Sequence, residues 1–310
     1  MPNDSDSSPS SSFVAISGAT GLIGSALVAR LRARNVRVRR LVRTARREAP
    51  DDIVWDPMRN VLSPADLEGA DAVVHLAGEP LAHRWTAARK RAIRESRVRG
   101  TELIARTIAA LDRRPRVLLS GSAVGIYGDR GDEPLDEQSA LGTDFLAGVA
   151  REWESASAPA ADAGVRVTLL RTGIVLSPKG GALERLLTPF RLGVGGPIGS
   201  GRQWMSWISL DDHVRAMEHA LATTGLHGPV NLVSPNPVTN AEFASVLGRV
   251  LSRPALVPVP AFALELAYGE MARATILAGQ RVLPNALLSA GFHFAHPTLE
   301  QALRFELAEH

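Results

Sequence analysis

Short apolar runs alternate with longer segments whose apolar positions recur every three or four residues, from residue 13 to about residue 235. The short runs predict strands at Phe13–Ser17, Val36–Val42, Ile53–Trp55, Ala72–Leu76, Arg116–Ser120, Val165–Arg171 and Val230–Val233. The periodic segments predict helices at Thr86–Leu111, Asp144–Ala163, Ala182–Leu192, Asp211–Ala222 and Asn240–Leu251. Strands alternating with helices imply a parallel sheet covered on both faces, hence an α/β, Rossmann-like doubly wound fold. Beyond about residue 254 the pattern changes. Pro254, Pro258 and Pro260 lead into short helical pieces near Ala261–Ala267, Ala272–Ala278 and Asn285–Ser289, closed by a helix over Thr298–Leu307 with Thr298 as N-cap. The expected organisation is a disordered tail at 1–12 and a dinucleotide-binding domain at 13–235, with lobe insertions near 178–208. A small, mostly helical substrate lobe at 236–310 follows, its distinct C-terminal part starting near 254.

The turn after the first strand carries the most information. Gly18-Ala19-Thr20-Gly21-Leu22-Ile23-Gly24 stands between the strand Phe13–Ser17 and the helix-like Ser25–Leu31. Strand, glycine turn, helix is the context in which glycines at this spacing bind a dinucleotide. Gly18 permits the tight turn, Gly21 lets the backbone approach a pyrophosphate, and Gly24 lets helix and sheet pack closely. The helix N-terminus then offers free N–H groups and a positive dipole end.

Composition narrows the rest. With 310 residues, 45% of them hydrophobic, the chain can bury one large α/β domain and a smaller lobe. It has no cysteine, which excludes disulfides, thiolate catalysis and Cys-ligated zinc and fits a cytoplasmic protein. No apolar run is long enough to span a bilayer, because Ala255–Tyr268 is broken by Pro258, Pro260 and Glu265, and the N-terminus lacks a signal-peptide pattern. Lys90 and Lys179 are the only lysines; arginines are dense over Arg30–Arg47 and Arg84–Arg99. Aromatics for base stacking are missing from the first cluster, so solvated helix faces are a better reading than nucleic-acid binding. His293 and His296 have no acidic neighbour in sequence, so no metal site is expected. Asp211-Asp212-His213 opens a helix and reads as a capping cluster.

The second strand ends near Val42. An NAD-preferring enzyme places an acid about there to bond the ribose 2′-hydroxyl, but this chain has Val42-Arg43-Thr44. Arg43 suits a 2′-phosphate, which favours NADP(H); the alternative is one more surface arginine. His75-Leu76-Ala77-Gly78-Glu79 and Ser120-Gly121-Ser122 end the next two strands at the same sheet edge.

These motifs, with Tyr127-Gly128 and Arg171-Thr-Gly-Ile-Val-Leu176, resemble the successive cofactor-site motifs of the extended short-chain dehydrogenase/reductase superfamily. The resemblance is closer to an atypical branch, the NAD-dependent epimerase/dehydratase-like epimerase family proteins with an added C-terminal domain of unknown function. It covers roughly residues 13–305 and is carried also by Trp153-Glu154, Gly195–Gly201, Pro237–Phe243 and Gly279–Pro284. It implies NADP(H) binding and a substrate lobe. By this resemblance Gly18, Thr20, Gly21, Leu22, Ile23 and Gly24 cradle the pyrophosphate, and Val42 and Arg43 meet the adenosine ribose and its phosphate. Leu76, Ala77, Gly78 and Ser120 line the strand ends, Arg97 lies on a helix beside the cofactor, and Leu176 passes the nicotinamide.

The family's proton-transfer pair is missing. Short-chain reductases use a tyrosine with a lysine four residues later; here Tyr127 and Tyr268 are followed at that spacing by Gly131 and Ala272. At the expected helix the two positions fall on Phe145 and Val149. Ser122, Tyr127 and Glu79 are the candidate catalytic residues, with Ser122 suited to bonding a substrate oxygen. Arg84, Trp85, Arg202 and Trp204 are candidate substrate contacts, Trp204 and Trp207 being equally suited to a core. The expected function is an NADP(H)-dependent oxidoreductase or epimerase acting on a small carbonyl or sugar-nucleotide-like substrate. The alternatives are hydride transfer with water-mediated protonation, or a non-catalytic NADP(H)-binding sensor or scaffold. A homodimer is compatible with this reading; nucleic-acid and membrane partners are not expected.

Overall fold

The computed structural model describes residues 12–44 and 51–308. The expected N-terminal tail, except for Ser12, and the far end of the first arginine cluster lie outside them. Seven strands form one parallel sheet: β1 (Phe13–Ser17), β2 (Val38–Val42), β3 (Ile53–Val54), β4 (Ala70–His75), β5 (Val117–Ala123), β6 (Arg166–Thr172) and β7 (Gly228–Leu232). Their spatial order is β7-β6-β5-β4-β1-β2-β3. The chain winds outward from β1 in one direction and then in the other, so the crevice between β1 and β4 is the topological switch point. Register aligns the strand ends there: Ser17 pairs with His75 and His75 with Ser120, and two residues further along β5 Ser122 pairs with Arg171.

Strand alternation sorts the core onto two faces. Ile16, Val74, Leu119 and Leu170 pack against α1 (Leu22–Ala33) through Leu27, Val28 and Leu31. Val214 and Met217 of α4 (Leu210–Ala222) complete that face. Ala15, Val73 and Leu118 face Ile104 and Ile108 of α2 (Ala87–Ala109). A fully buried leucine such as Leu27 contributes about 2 kcal/mol to such a core.

The helix expected over Asp144–Ala163 is two pieces: α3 (Phe145–Ser155), capped by the Asp144 carboxylate, and Ala158–Asp162. Pro159 has no N–H to bond the Ser155 carbonyl four residues back and its ring crowds that carbonyl, and Ser157 turns its hydroxyl back onto the Glu154 carbonyl. β2 starts two residues later than the pattern suggests, because Asn35 takes a positive φ of 58° and Val36 bonds back to Leu31. Three two-strand ribbons escaped the pattern. They are Ile174–Leu176 with Trp207–Ser209, Trp204–Met205 with Val238–Thr239, and Pro134–Leu135 with Arg281–Val282. Runs of two or three residues hold too little periodicity to read.

Leu183, Leu187, Phe190 and Trp207 form a second core with Phe243 and Leu247 of α5 (Asn240–Val250) and Leu303 of α6 (Leu299–Leu307). The C-terminal segment also returns to the sheet, where Leu287 and Phe292 join the α4 side of the main core. The Asp212 carboxylate fastens it there by accepting from the Ala295 and His296 amides at 2.8 and 2.9 Å. Among the described residues, no helix is long and apolar enough to cross a membrane, and no group of His, Asp and Glu side chains could hold a metal ion.

Candidate active site

The glycine turn is built from exclusions. Gly18 has φ +67°, and a side chain on it would meet the Leu76 carbonyl carbon at 2.7 Å and the Ala77 nitrogen at 2.8 Å. A side chain on Gly24 would stand 2.2 Å from the Gly18 oxygen. Both positions therefore admit only glycine, and they draw the end of β4 against the start of α1. At Gly21 the first neighbour lies at 3.4 Å, and the residue is exposed; its missing side chain leaves access rather than relieving a clash. Gly21 also caps α1, which has no side-chain cap and no acid in its first turn. Its leading N–H groups therefore have no side-chain acceptor, which makes a ready site for anionic oxygens. Leu22, Ile23, Leu76 and Ala77 are half-buried around this opening, and Thr20 and Gly78 are exposed at its rim. Leu176 is fully buried nearby, on the strand leading to a loop where a side chain on Gly180 would begin 3.4 Å from Leu22. Val42 is half-buried at the end of β2, and Arg43 is exposed just beyond it.

Beneath the opening, His75 is fully buried with Nδ1 2.6 Å from the Ser17 hydroxyl and its ring edge-on to Trp55. Burial, with Arg97 adding repulsion, pushes its pKa down to about 3, so it is neutral. Arg97 reaches from α2 to the Glu79 and Ile93 carbonyls at 3.0 and 3.1 Å, lies against Gly78 and stacks 5.1 Å over the Trp153 ring. Burial lowers its pKa to about 10, Glu79 acting in the opposite sense. Among the described residues Arg97 has no ion-pair partner within 4 Å: the Glu79 carboxylate is taken by Arg89. Four nearby polar atoms on this face of the sheet are buried without a protein partner: His75 Nε2, Thr101 Oγ1, Ser120 Oγ and Trp153 Nε1.

The end of β5 is occupied differently. Ser122 donates to the Glu154 carboxylate at 2.6 Å, and Arg171 grips the same carboxylate with two bonds of 2.8 and 2.9 Å. Arg171 also donates to the Tyr127 hydroxyl at 2.9 Å, which in turn donates to Asn231 at 2.7 Å. The Asn231 amide donates onward to the Leu283 carbonyl, and the Glu137 carboxylate accepts from the Asn231 and Ala286 backbones. The network runs from β5 through α3, β6 and β7 to the C-terminal segment. Tyr127 is fully buried, and burial raises its pKa against the pull of Arg171. Desolvation also raises Glu137, while paired charge more than offsets burial at Arg171 and raises it.

The substrate-side candidates separate. Trp85 is buried against Phe145 at 5.3 Å, and its indole donates to the Leu81 carbonyl. Arg84 is exposed and donates to the Leu266 carbonyl of the helix Ala261–Tyr268, so these two line the junction with the lobe. Trp204 is half-buried on the other flank, under Arg281 at 4.6 Å and bonded to Asp132, with Arg202 exposed beside it; Trp207 is core. Phe145 opens α3 and Val149 is buried behind it, so neither place bears a proton-transfer group. Asp211, Asp212 and His213 divide: Ser209 caps α4, Asp211 pairs with Arg30, and His213 is buried against Thr172.

Sequence reasoning missed Glu154, Asn231 and Glu137. Arg171, charged and buried near the end of an apolar strand, was the signal that could have found Glu154, because such a cation requires a carboxylate.

Comparison with known proteins gives consistent matches. The model of the NAD dependent epimerase/dehydratase family matches residues 14–232, and that of a domain of unknown function (DUF1731) matches 259–306. An epimerase family protein of Mycobacterium bovis, Mb2239, is 46% identical over 293 residues, covering 94% of this chain and 96% of the relative. The crystal structure of human epimerase family protein SDR39U1 (isoform 2) with NADPH superposes with a TM-score of 0.87 at 35% identity, over 94% of this chain and 98% of that one. A structure of the nucleoside-diphosphate sugar epimerase from Corynebacterium glutamicum gives 0.78 at 41% identity, over 95% of this chain and 58% of that longer one.

Proposed function

Since this chain belongs to the NAD-dependent epimerase/dehydratase family, we propose that it binds NADP(H) and acts as an oxidoreductase or epimerase on a small carbonyl or sugar-nucleotide-like substrate. The observation that carries this reading is the cradle at Gly18–Gly24: two glycines that no side chain can replace, and an uncapped helix start beside an accessible Gly21. A dinucleotide fits it by chemistry, since N–H groups with no side-chain acceptor and no competing carboxylate suit a diphosphate. The human relative crystallised with NADPH supports the same cofactor. When bound, the cofactor would supply or accept hydride at nicotinamide C4.

The chain's own residues then have distinct tasks. The first turn of α1 holds the diphosphate, and Arg43 holds the 2′-phosphate beside Val42. Leu76, Ala77 and Gly78 let the backbone approach. Arg97, half-buried and stacked on Trp153 without a carboxylate of its own, orients the cofactor's ribose side. Ser122 is the oxygen contact. With its proton directed to Glu154, its oxygen presents lone pairs and accepts from a substrate hydroxyl. Tyr127 is a positioning residue here, because both its hydrogen-bond roles are filled from within the protein.

A calorimetric titration with NADPH and NADH tests the reading. NADPH should bind more tightly than NADH, and Arg43→Ala should weaken NADPH about tenfold while leaving NADH unchanged. Equal affinity of Arg43→Ala and the parent chain for NADPH would remove the 2′-phosphate assignment; no binding of either nucleotide would remove the oxidoreductase reading.

One observation favours a second reading, a non-catalytic NADP(H)-responsive protein. Ser122, Tyr127 and Glu79 all have partners inside the protein, and Phe145 and Val149 stand where the pair is expected. A partner whose affinity shifts with NADPH, in the absence of any turnover, would support it.

A further inference from the structure

The loop joining Leu176 to the helix Gly181–Arg191 bears one of the chain's two lysines, and the two have different surroundings. Lys90 is paired with Glu270 at 2.5 Å and lies over the Phe145 ring. Lys179 is exposed and, among the described residues, has no carboxylate within ion-pair distance; Glu306 is near enough only to be influenced by it.

Its backbone is nevertheless held. Ser177 and Gly180 form a two-residue antiparallel bridge with Pro178 and Lys179 at its tip, and the Lys179 amide donates to the Ser177 hydroxyl at 3.2 Å. On one side the turn follows Leu176, fully buried. On the other, Gly180 and Gly181 bring the chain onto Leu22, the first residue of α1, with separations of 3.4 and 3.9 Å from where their side chains would begin. Gly181 takes a positive φ of 78°, so the approach depends on its being glycine. The turn thus carries Lys179 at its tip beside the first residue of α1, whose N-terminus has no side-chain cap. The helix Gly181–Arg191 starts at the same place, also without a side-chain cap. Cation and N–H donors together define a site for an anion with several oxygens.

Resting on the NADP(H) reading above, we propose that Lys179 is a clasp for the cofactor's diphosphate: its ammonium closes over the oxygens held by the first turn of α1, and the 177–181 turn becomes the outer wall of the nucleotide site. Lysine suits this role as a mobile point charge on a flexible stem. Apart from Lys90 and Lys179 the Lys and Arg content is all arginine, and the stretch 18–24 itself contains no cation, so Lys179 supplies the charge that the glycine turn lacks.

The test begins with the full-length chain and NADPH in a calorimeter. Lys179→Gln should weaken NADPH about tenfold, Lys179→Arg should keep most of the affinity, and neither should alter thermal stability, since the side chain is exposed. Adenosine 2′-monophosphate, which lacks the diphosphate, should bind Lys179→Gln and the parent chain equally. A second readout uses the two lysines directly. NADPH should slow acetylation of Lys179 by an amine-reactive reagent several-fold while Lys90 reacts at its unliganded rate. Unchanged NADPH affinity in Lys179→Gln, or equal acetylation of Lys179 with and without NADPH, would overturn the clasp while leaving the cofactor reading intact. Failure of the parent chain to bind NADPH would overturn both, and so separates the two.

Discussion

The two halves of the crevice solve opposite problems. On the β1–β4 side the groups that face the opening are backbone N–H groups and missing side chains, and the space is held by Gly18 and Gly24 pressing on Leu76, Ala77 and each other. On the β5–β6 side the opening is lined by polar side chains that already satisfy one another: Ser122, Glu154, Arg171, Tyr127 and Asn231. The first arrangement leaves the donors of the α1 start without a side-chain partner. The second is complete without any ligand. The difference teaches where binding and where reactivity should be sought. The glycine side has unfilled valency for a nucleotide, whereas the β5 side must lend atoms from a finished network.

Breaking the second half should have the largest effect on the fold. Glu154→Ala leaves the Arg171 guanidinium buried without its carboxylate, which should cost about 3–5 kcal/mol in urea unfolding. NADPH affinity of the folded fraction should change little; a large loss would mean that the two halves are one site. Breaking the first half reverses the pattern. Gly24→Ala forces the α1 start away from Gly18 and should weaken NADPH binding about a hundredfold, roughly 3 kcal/mol. Its cost in unfolding should be smaller, about 1–3 kcal/mol.

The smallest of these effects sharpens the comparison through pH. His75 on the nucleotide side and His213 near the end of β6 are both fully buried, with pKa values pushed down to about 3 by desolvation. A histidine whose folded pKa is depressed contributes stability above its unfolded value of about 6.5, and that stability is lost as pH falls toward the folded value. Each should cost about 2 kcal/mol at pH 5 relative to neutral pH, read as a fall in the urea midpoint. Glu306 acts in the same interval with the opposite sign. Its pKa is raised by burial to about 7, so its contribution is greatest at low pH and is lost as pH rises. Replacing it by glutamine should steepen the measured acid-side decline.

The same contrast explains what was legible in the sequence. The parallel α/β sheet and the Gly18–Gly24 turn could be read because they follow from local rules: alternation, periodicity, and the need for glycine where Cβ atoms would collide. His75-Leu76-Ala77 and Ser120-Gly121-Ser122 could be placed at one edge because parallel strands align their ends. The Ser122–Glu154–Arg171–Tyr127–Asn231 network could not, since it joins residues up to 104 positions apart through side-chain geometry that no local pattern encodes. Tyr127 therefore read as a candidate proton donor, though its hydroxyl is enclosed between Arg171 and Asn231. The break before Pro159 was written in the proline itself, and only the strength of the surrounding helical pattern hid it.

The interlocked side chains at the end of β5 also constrain how this molecule can change over generations. Loss of Glu154 strands a cation, and loss of Arg171 strands a carboxylate together with the Tyr127 oxygen it serves. Substituting either one alone passes through a poorly folded intermediate. A lysine at Val149 would likewise begin as an ammonium among apolar side chains. Inheritance in this half of the crevice must therefore proceed by coordinated exchange of several residues, whereas Arg43 and Lys179, each exposed, are free to vary one at a time. Surface charge around the nucleotide crevice can drift gradually on such a scaffold, while the buried network at the end of β5 can only jump.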